Sequence, residues 1–258
     1  MTNVTFVRES GAIITNMESL FSPGFESNLV LAREHLFNKL EKIFDGKTIE
    51  AHVFGSIARG TTDAYSDIDI WFTFRDEEFK EVYEKRFEYY ALLGDIIHIC
   101  EPPQNAPVGG VHSAIFVRTG DGCITVIDVY LCPLSTAFII EDGKKLSGLD
   151  LPKKEKGEIG FNPQKVQVDE NYRIDFFICF VFYTLKKLAR HKKAPLEDLL
   201  RQYDNLSKNF NIQIDPVDTK EQDFDTLEKV IENMKKVSNK KQKETLNVIS
   251  GFAKKIFL

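Results

Sequence analysis

The sequence predicts an α+β protein, in which a small mixed or antiparallel sheet with flanking helices precedes a helical bundle. Three observations carry this prediction. Short strand-like segments cluster between residues 49 and 131, a stretch rich in Lys, Gly and Pro begins at 143, and the remaining segments have helical periodicity. We therefore predict a first domain over 1–145, a linker over 146–165 and a helical domain over 166–258.

The elements of the first domain follow from hydrophobic spacing. Residues 27–44 have helical spacing and end before Gly46, which is typical of a helix terminus. Residues 67–74 alternate between apolar and polar side chains, so they predict a strand with two different faces. The charged segment 76–92 predicts a helix. Further strands are predicted at 49–54, 95–101, 113–119 and 123–131, and the sequence Gly-Asp-Gly joins the last two in a hairpin.

Four helices are predicted in the second domain. They cover residues 168–191, 195–209, 222–237 and 239–256. The first is apolar on nearly all faces between Phe176 and Tyr183, so we expect it to be the buried spine of that domain.

Composition excludes several classes of protein. A hydrophobic content of 43% with 28% charged residues is typical of a globular protein, and the net charge of −5 disfavours a nucleic-acid partner. The four cysteines lack zinc-binding spacing, which predicts packed thiols. There is no signal-peptide pattern, and the longest apolar run, at 176–183, is too short to span a membrane. We expect a cytoplasmic protein with no membrane partner, and the oligomeric state stays open.

Two acids interrupt an apolar strand. Asp67 and Asp69 are separated by one residue, so both side chains lie on one face of the strand. Asp128 lies within the apolar strand 123–131, and if the two strands are antiparallel neighbours, three carboxylates converge. Buried like charges need a compensating cation, and Mg²⁺ is typically held by one or two carboxylates together with substrate phosphates. Glu101 competes with Asp128 for the position of third acid.

A Gly-Ser pair precedes these acids. Gly55 ends a strand and Ser56 begins a short predicted helix, whose N-terminus would favour phosphate. Arg59 is either a phosphate contact or a solvated arginine, and Ser66 either supports the acidic strand or forms a simple turn. His98 and His112 favour structural roles. The basic segment 186–193 is either a nucleotide contact or a helix end that favours cations.

The motif GSIARG…SDIDI, with a later strand acid in VIDVYL, resembles the DNA polymerase β-type nucleotidyltransferase superfamily. The resemblance spans about residues 45–135 and rests on five residues: Gly55, Ser56, Asp67, Asp69 and Asp128. The helical tail is similar in layout to the aminoglycoside and lincosamide nucleotidyltransferases.

The resemblance implies an enzyme that transfers a nucleoside monophosphate from a nucleoside triphosphate, ATP by preference, to a hydroxyl of a small molecule such as an antibiotic. It implies that Asp67, Asp69 and Asp128 are catalytic and bind two Mg²⁺ ions, and that Gly55, Ser56, Arg59 and Ser66 bind the nucleotide. Transfer to an RNA end or a protein side chain, or a non-catalytic nucleotide-binding module, are the alternatives.

We expect the acceptor pocket between the two domains. Glu101, Glu170 and Asp175 are the candidate acceptor-binding residues and candidates for a separate general base. The acids before the spine helix predict a negatively lined pocket, suited to a cationic or hydroxyl-rich molecule. Alternatively, they favour the helix N-terminus and nothing more.

Overall fold

The α+β class is confirmed in the computed structural model, which describes residues 24–155, 169–190, 194–210, 212–217 and 224–257. The strands are β1 (Glu50–Val53), β2 (Ile68–Phe74), β3 (Asp95–Cys100), β4 (Val111–Arg118), β5 (Ile124–Pro133), β6 (Ile139–Ile140), β7 (Lys144–Gly148) and β8 (Lys153–Lys154). The helices are α1 (Phe25–Leu40), α2 (Gly55–Arg59), α3 (Asp76–Ala91), α4 (Glu170–Ala189), α5 (Ala194–Phe210), α6 (Phe224–Val237) and α7 (Lys240–Phe257).

Six strands form one mixed sheet in the order β3-β4-β5-β2-β1-β7. All neighbours are antiparallel except β2 and β5, which are parallel. The expectation of an antiparallel pair here was wrong, because α3, β3 and β4 intervene and the chain returns to the side of β2 in the same direction. β2 and β5 are nevertheless neighbours, and the convergence of the acids depends on that and not on the strand direction.

Helices cover both faces of the sheet. The face that carries Ile68, Ile70 and Phe72 packs against Leu36 and Leu40 of α1, together with α3. The opposite face, through Ala114, Phe116 and Val126, packs against α4 and the helices behind it. Because side chains alternate along a strand, Asp69 and Asp128 lie on this second face, towards α4.

The segment expected to be a linker contains regular structure. Lys144–Gly148 forms the edge strand β7, which pairs with β1, and Lys153–Lys154 pairs with β6. β7 is an edge strand that one neighbouring strand holds, so it needs no alternating apolar side chains. Its mostly exposed residues therefore give no hydrophobic pattern by which a strand could be predicted. Residues 156–165 of the expected linker lie outside the described residues, and the three-region division stays a prediction.

The spine helix α4 is the centre of the C-terminal helices. Phe177, Ile178, Val181, Phe182 and Leu185 are at most 2% exposed. The four helices that the sequence predicts in this part of the chain are present, with ends that differ by a few residues. Among the described residues, no helix is both long enough and apolar enough to cross a bilayer.

Gly148 tests whether β7 belongs to the sheet. Its φ is +91°, and a Cβ atom there would collide with the carbonyl oxygen of Ile49. We expect Gly148→Ala to lower the free energy of unfolding by about 1–3 kcal/mol. Gly251 lies inside α7, and a Cβ atom there would meet no other atom within 4 Å. Gly251→Ala should therefore raise the free energy of unfolding by about 0.5–1 kcal/mol. Urea unfolding measures both, and a neutral or stabilising Gly148→Ala would show that β7 is not held as described.

Candidate active site

The three candidate acids meet at one end of the parallel strand pair. Asp69 of β2 is directly opposite Asp128 of β5 in the register of the sheet. Asp67 immediately precedes β2, two residues before Asp69, so its side chain lies on the same face. Parallel pairing therefore brings two carboxylates side by side and places the third next to them.

The charge on Asp69 is poorly compensated. Burial raises the pKa of its carboxyl to about 8, and the neighbouring charges of Asp128 and Asp67 add to the rise. Within the described part of the chain, no hydrogen bond or ion pair reaches the Asp69 carboxylate. A carboxyl group in such surroundings favours either a proton or a bound cation.

Lys186 of α4 supplies a cation to the neighbouring acid. Its ammonium group forms an ion pair with Asp67, and the lysine side chain is 6% exposed. Burial raises the pKa of Asp67, and the charge of Lys186 opposes this rise. From the sequence, the basic segment 186–193 that contains Lys186 was either a nucleotide contact or a helix end that favours cations. One signal was present, because Lys186 continues the apolar stripe of Ile178 and Phe182 at helical spacing and must therefore face inward.

His112 holds the third acid. Its Nε2 donates to Oδ1 of Asp128 at 2.7 Å, and its ring stacks on Tyr130 with centroids 4.3 Å apart. The stack continues across the sheet through Trp71 to His52, one ring from each of four adjacent strands. His112 was expected to be structural, and it supports Asp128 as part of this row of rings.

Gly55 and Ser56 begin α2, directly beside Asp69. The φ of Gly55 is +66°, and a Cβ atom there would collide with the Asp69 carboxylate. Glycine is therefore required on steric grounds, before any ligand is considered. α2 has five residues and is capped by Gly60, so the short helix predicted here is present.

The other predicted nucleotide-binding residues have partners within the protein. Arg59 forms an exposed ion pair with Asp142 at 2.7 Å. Ser66 donates to Oδ1 of Asp63 and accepts from the Asp63 backbone N–H, both at 2.9 Å, so it closes a turn immediately before the acids. Their nucleotide-binding roles stay predictions, and Ser66 has the turn position that was its alternative.

The predicted acceptor residues lie apart from the acids. Glu101 forms a two-pronged ion pair with Arg86 and accepts a hydrogen bond from Ser113, so it is not the third acid beside Asp69. Asp175 accepts from Gln242 of α7 at 3.0 Å. Glu170 is exposed in the first turn of α4. Acceptor binding by these residues stays a prediction.

A cavity of about 250 Å³ lies between the sheet and α4, beside the contact of Lys186 with Asp67. Asp67, Asp128, His112 and Lys186 contribute its polar lining. The remaining lining is mostly apolar and comes from the sheet, from Pro102 and from one side of α4. None of Glu101, Glu170 and Asp175 lines this cavity.

The donor set suits a hard divalent cation, since the acids offer carboxylate oxygens and the charges of Lys186 and Arg59 only partly compensate Asp69. In the described ranges, however, no group of three or more His, Cys, Asp or Glu side chains is already arranged as a metal site. The ion pair between Asp67 and Lys186 accounts for this, because it directs one of the three carboxylates to the lysine.

Comparison with known proteins gives one family. The family model described as "Nucleotidyltransferase domain" matches residues 34–102. No curated protein matches the chain. Among solved structures, a CdnE cyclic dinucleotide synthase from Elizabethkingia meningoseptica, solved with GTP and Apcpp, is 16% identical, with 91% of this chain and 97% of that chain covered and a TM-score of 0.25.

The matched segment ends before Asp128 and α4, and it contains the Gly-Ser pair and the first two acids. These are the residues on which the sequence motif rests, now found in contact or side by side in the fold. The match shows that this segment of the chain is similar to a nucleotidyltransferase domain.

Proposed function

We propose that the enzyme transfers a nucleoside monophosphate from a nucleoside triphosphate, ATP by preference, to a hydroxyl of a small molecule. The observation that carries this proposal is the position of Asp69 opposite Asp128, with Asp67 nearby on the same face of the sheet. Asp67 and Asp128 line the cavity under α4. The presence of all three acids argues against a non-catalytic binding module. The enclosing helix favours a small acceptor over an RNA end or a folded protein.

Two Mg²⁺ ions are the cofactor that these acids suit, with Asp67, Asp69 and Asp128 as their ligands. Bound there, the ions would neutralise phosphate charge and lower the pKa of the acceptor hydroxyl. For Asp67 to take part, its carboxylate must leave Lys186, whose ammonium group would then face the incoming phosphates. His112 keeps Asp128 in one orientation while this exchange takes place.

The proposed reaction is an in-line displacement at the α-phosphorus. The acceptor oxygen bonds to this phosphorus while the bond to the bridging oxygen of the β-phosphate breaks, and that electron pair leaves with pyrophosphate. The hydroxyl proton passes to a carboxylate, for which Asp128 is our assignment because it lines the cavity. Gly55 and Ser56, on the other side of Asp69, would contact the triphosphate.

The acceptor is proposed to be an organic molecule with a free hydroxyl. Aminoglycoside and lincosamide antibiotics are the first to test, because the layout predicted from the sequence resembles that of the enzymes that modify them. A screen with α-³²P-labelled nucleoside triphosphates tests acceptor and nucleotide together. Label that stays in triphosphate or monophosphate with every acceptor would contradict the proposal.

Replacing each acid by its amide tests the catalytic assignment. We expect Asp67→Asn, Asp69→Asn and Asp128→Asn each to reduce turnover at least about 10³-fold, because charge developing in the transition state loses its stabilisation. Asp95→Asn is the matched control, since Asp95 is exposed and pairs with Arg118 far from the cavity. Steady-state kinetics measures the effect and circular dichroism verifies the fold. Near-normal turnover in any one of the three variants removes that residue from the assignment.

Dependence of nucleotide binding on metal is a separate test. We expect removal of Mg²⁺ with EDTA to weaken ATP binding at least about tenfold in isothermal titration, because carboxylates and phosphates would then repel each other. The double variant Asp69→Asn/Asp128→Asn lacks that repulsion, so EDTA should affect its ATP affinity much less. Equal affinity of the wild-type protein in both buffers would contradict the metal assignment.

The raised pKa of Asp69 predicts how stability of the metal-free protein depends on pH. In the unfolded chain an aspartate titrates near its ordinary value of about 4. Between that value and about 8, the folded protein retains a proton that the unfolded chain has lost, so the free energy of unfolding falls as pH rises. Asp69→Asn should therefore melt close to wild type at about pH 5 and at a higher temperature at about pH 8.

Thermal melts in EDTA across this range measure the difference, with Asp95→Asn again as control. Adding Mg²⁺ at the upper pH should raise the melting temperature of wild type and leave Asp69→Asn nearly unchanged. Parallel pH profiles for the wild type and Asp69→Asn would show that Asp69 titrates at its ordinary pKa.

A further inference from the structure

α4 presents a row of aromatic rings that are only partly buried, of which Phe180 also packs against the hydrophobic core. Tyr172, Phe176 and Phe180 follow one another at a spacing of four residues, with ring centroids 6.2 Å and 5.6 Å apart. Phe176 and Phe180 are partly exposed, whereas Phe177 and Phe182 on the other sides of the helix are buried. We call Tyr172, Phe176 and Phe180 the aromatic row.

Two members of the aromatic row, Phe176 and Phe180, line the cavity of about 250 Å³ that Asp67 and Asp128 also line. Phe176 and Phe180 form one wall, and Ala114, Phe116 and Val126 of the sheet form the opposite wall. Asp128 also lines this cavity. A molecule placed here has apolar surfaces on two sides and a carboxylate within the same space.

The cavity lies on the acceptor side of the acids. Along the sheet the order of strands is β1, β2, β5 and β4, so Gly55 and Ser56 lie beyond Asp69, and the cavity lies beyond Asp128. Neither Gly55 nor Ser56 lines it. A triphosphate held at the Gly-Ser end leaves this space for the second substrate.

A second cavity of about 440 Å³ adjoins the first and shares Pro102 and His112 with it. Its lining includes Phe79, Tyr83 and Tyr172, the first member of the aromatic row, and also Glu101, whose charge is compensated by Arg86. Tyr83 is 41% exposed, and its ring lies against the Arg86 guanidinium at 4.2 Å. The apolar space next to the acids therefore continues outward, with room for an acceptor larger than a single ring.

Charge in the inner cavity is partly cancelled. Lys186 neutralises Asp67, and the acids predicted to line an anionic pocket, Glu170 and Asp175, lie elsewhere. A polycation would have to bury its ammonium groups against phenylalanine rings, which is costly. A neutral ring system would bury its apolar surface against these side chains on binding, which is favourable.

We infer that the acceptor is a neutral or weakly charged molecule with a planar or apolar face, which packs between the aromatic row and the sheet and directs a hydroxyl towards Asp128. This inference rests on the proposed nucleotidyl transfer and narrows its second substrate. The acceptor site that we infer is an apolar slot between α4 and the sheet, in place of the negatively lined pocket for a cationic acceptor that the sequence predicted.

The test uses probes that carry the same sugar hydroxyls and differ in one flat group. Binding of 2-naphthyl β-D-glucopyranoside, methyl β-D-glucopyranoside and the polycation kanamycin A is measured by isothermal titration on the full chain saturated with Mg²⁺ and a non-hydrolysable ATP analogue. We expect the naphthyl glucoside to bind at least about tenfold more tightly than the methyl glucoside, as burial of one aromatic group allows.

Phe176→Ala and Phe180→Ala should remove most of that preference and leave ATP affinity unchanged. Phe210→Ala is the matched control, because Phe210 is an exposed ring on α5 that contacts Arg173 outside the cavity. If an alanine variant loses its circular dichroism signal, Phe176→Leu and Phe180→Leu keep the volume and should retain part of the preference.

Equal affinity for the two glucosides, tighter binding of kanamycin A, or a preference that survives the Phe176 and Phe180 substitutions would overturn the inference. Transfer of label from α-³²P-ATP is followed in parallel. A preserved binding preference with no transfer to any acceptor supports the apolar slot and counts against the proposed transfer, so the two failures are distinguishable.

Discussion

The parallel pairing of β2 with β5 is the constraint on which the rest of the site depends. It sets Asp69 and Asp128 side by side at a depth where neither can be fully hydrated. The surrounding residues relieve this charge unequally. Asp67 has Lys186 and Asp128 has His112, whereas Asp69 has no partner in the described part of the chain. The geometry is therefore held by packing of the sheet and works against the electrostatic preference of the acids.

The sheet and the C-terminal helices are joined at this site by charged contacts as well as by packing. Arg190, at the end of α4, donates to both carboxylate oxygens of Asp63 at 2.6 Å, and Arg33 of α1 donates to the Asp63 backbone carbonyl. Asp63 in turn bonds Ser66, one residue before Asp67. The turn that leads into the acids is thus fixed from two helices, so the orientation of Asp67 depends on residues distant in sequence.

Sequence reasoning reached the fold class, the principal helices and strands and the three acids, because each of these has a local signal in periodicity or in charge within an apolar strand. It missed β7, whose two lysines and one glycine give no apolar pattern. It also considered β2 and β5 as an antiparallel pair, because strand direction depends on a crossover that has no local signal. Lys186 and the position of Glu101 depend on tertiary contacts. Asp175 faces Gln242 because of how α7 packs on α4, which no property of its own segment indicates.

The two halves of the site come from different stretches of the chain, with different freedom to diverge. The Gly-Ser pair and the first acids lie in the segment matched by the family model, where a collision between Gly55 and Asp69 limits what can be substituted. The wall facing them is one side of a single helix, α4, whose Phe176 and Phe180 line the cavity and whose Lys186 contacts Asp67. A lineage can therefore exchange one second substrate for another by point changes along α4, while the phosphate chemistry is inherited intact.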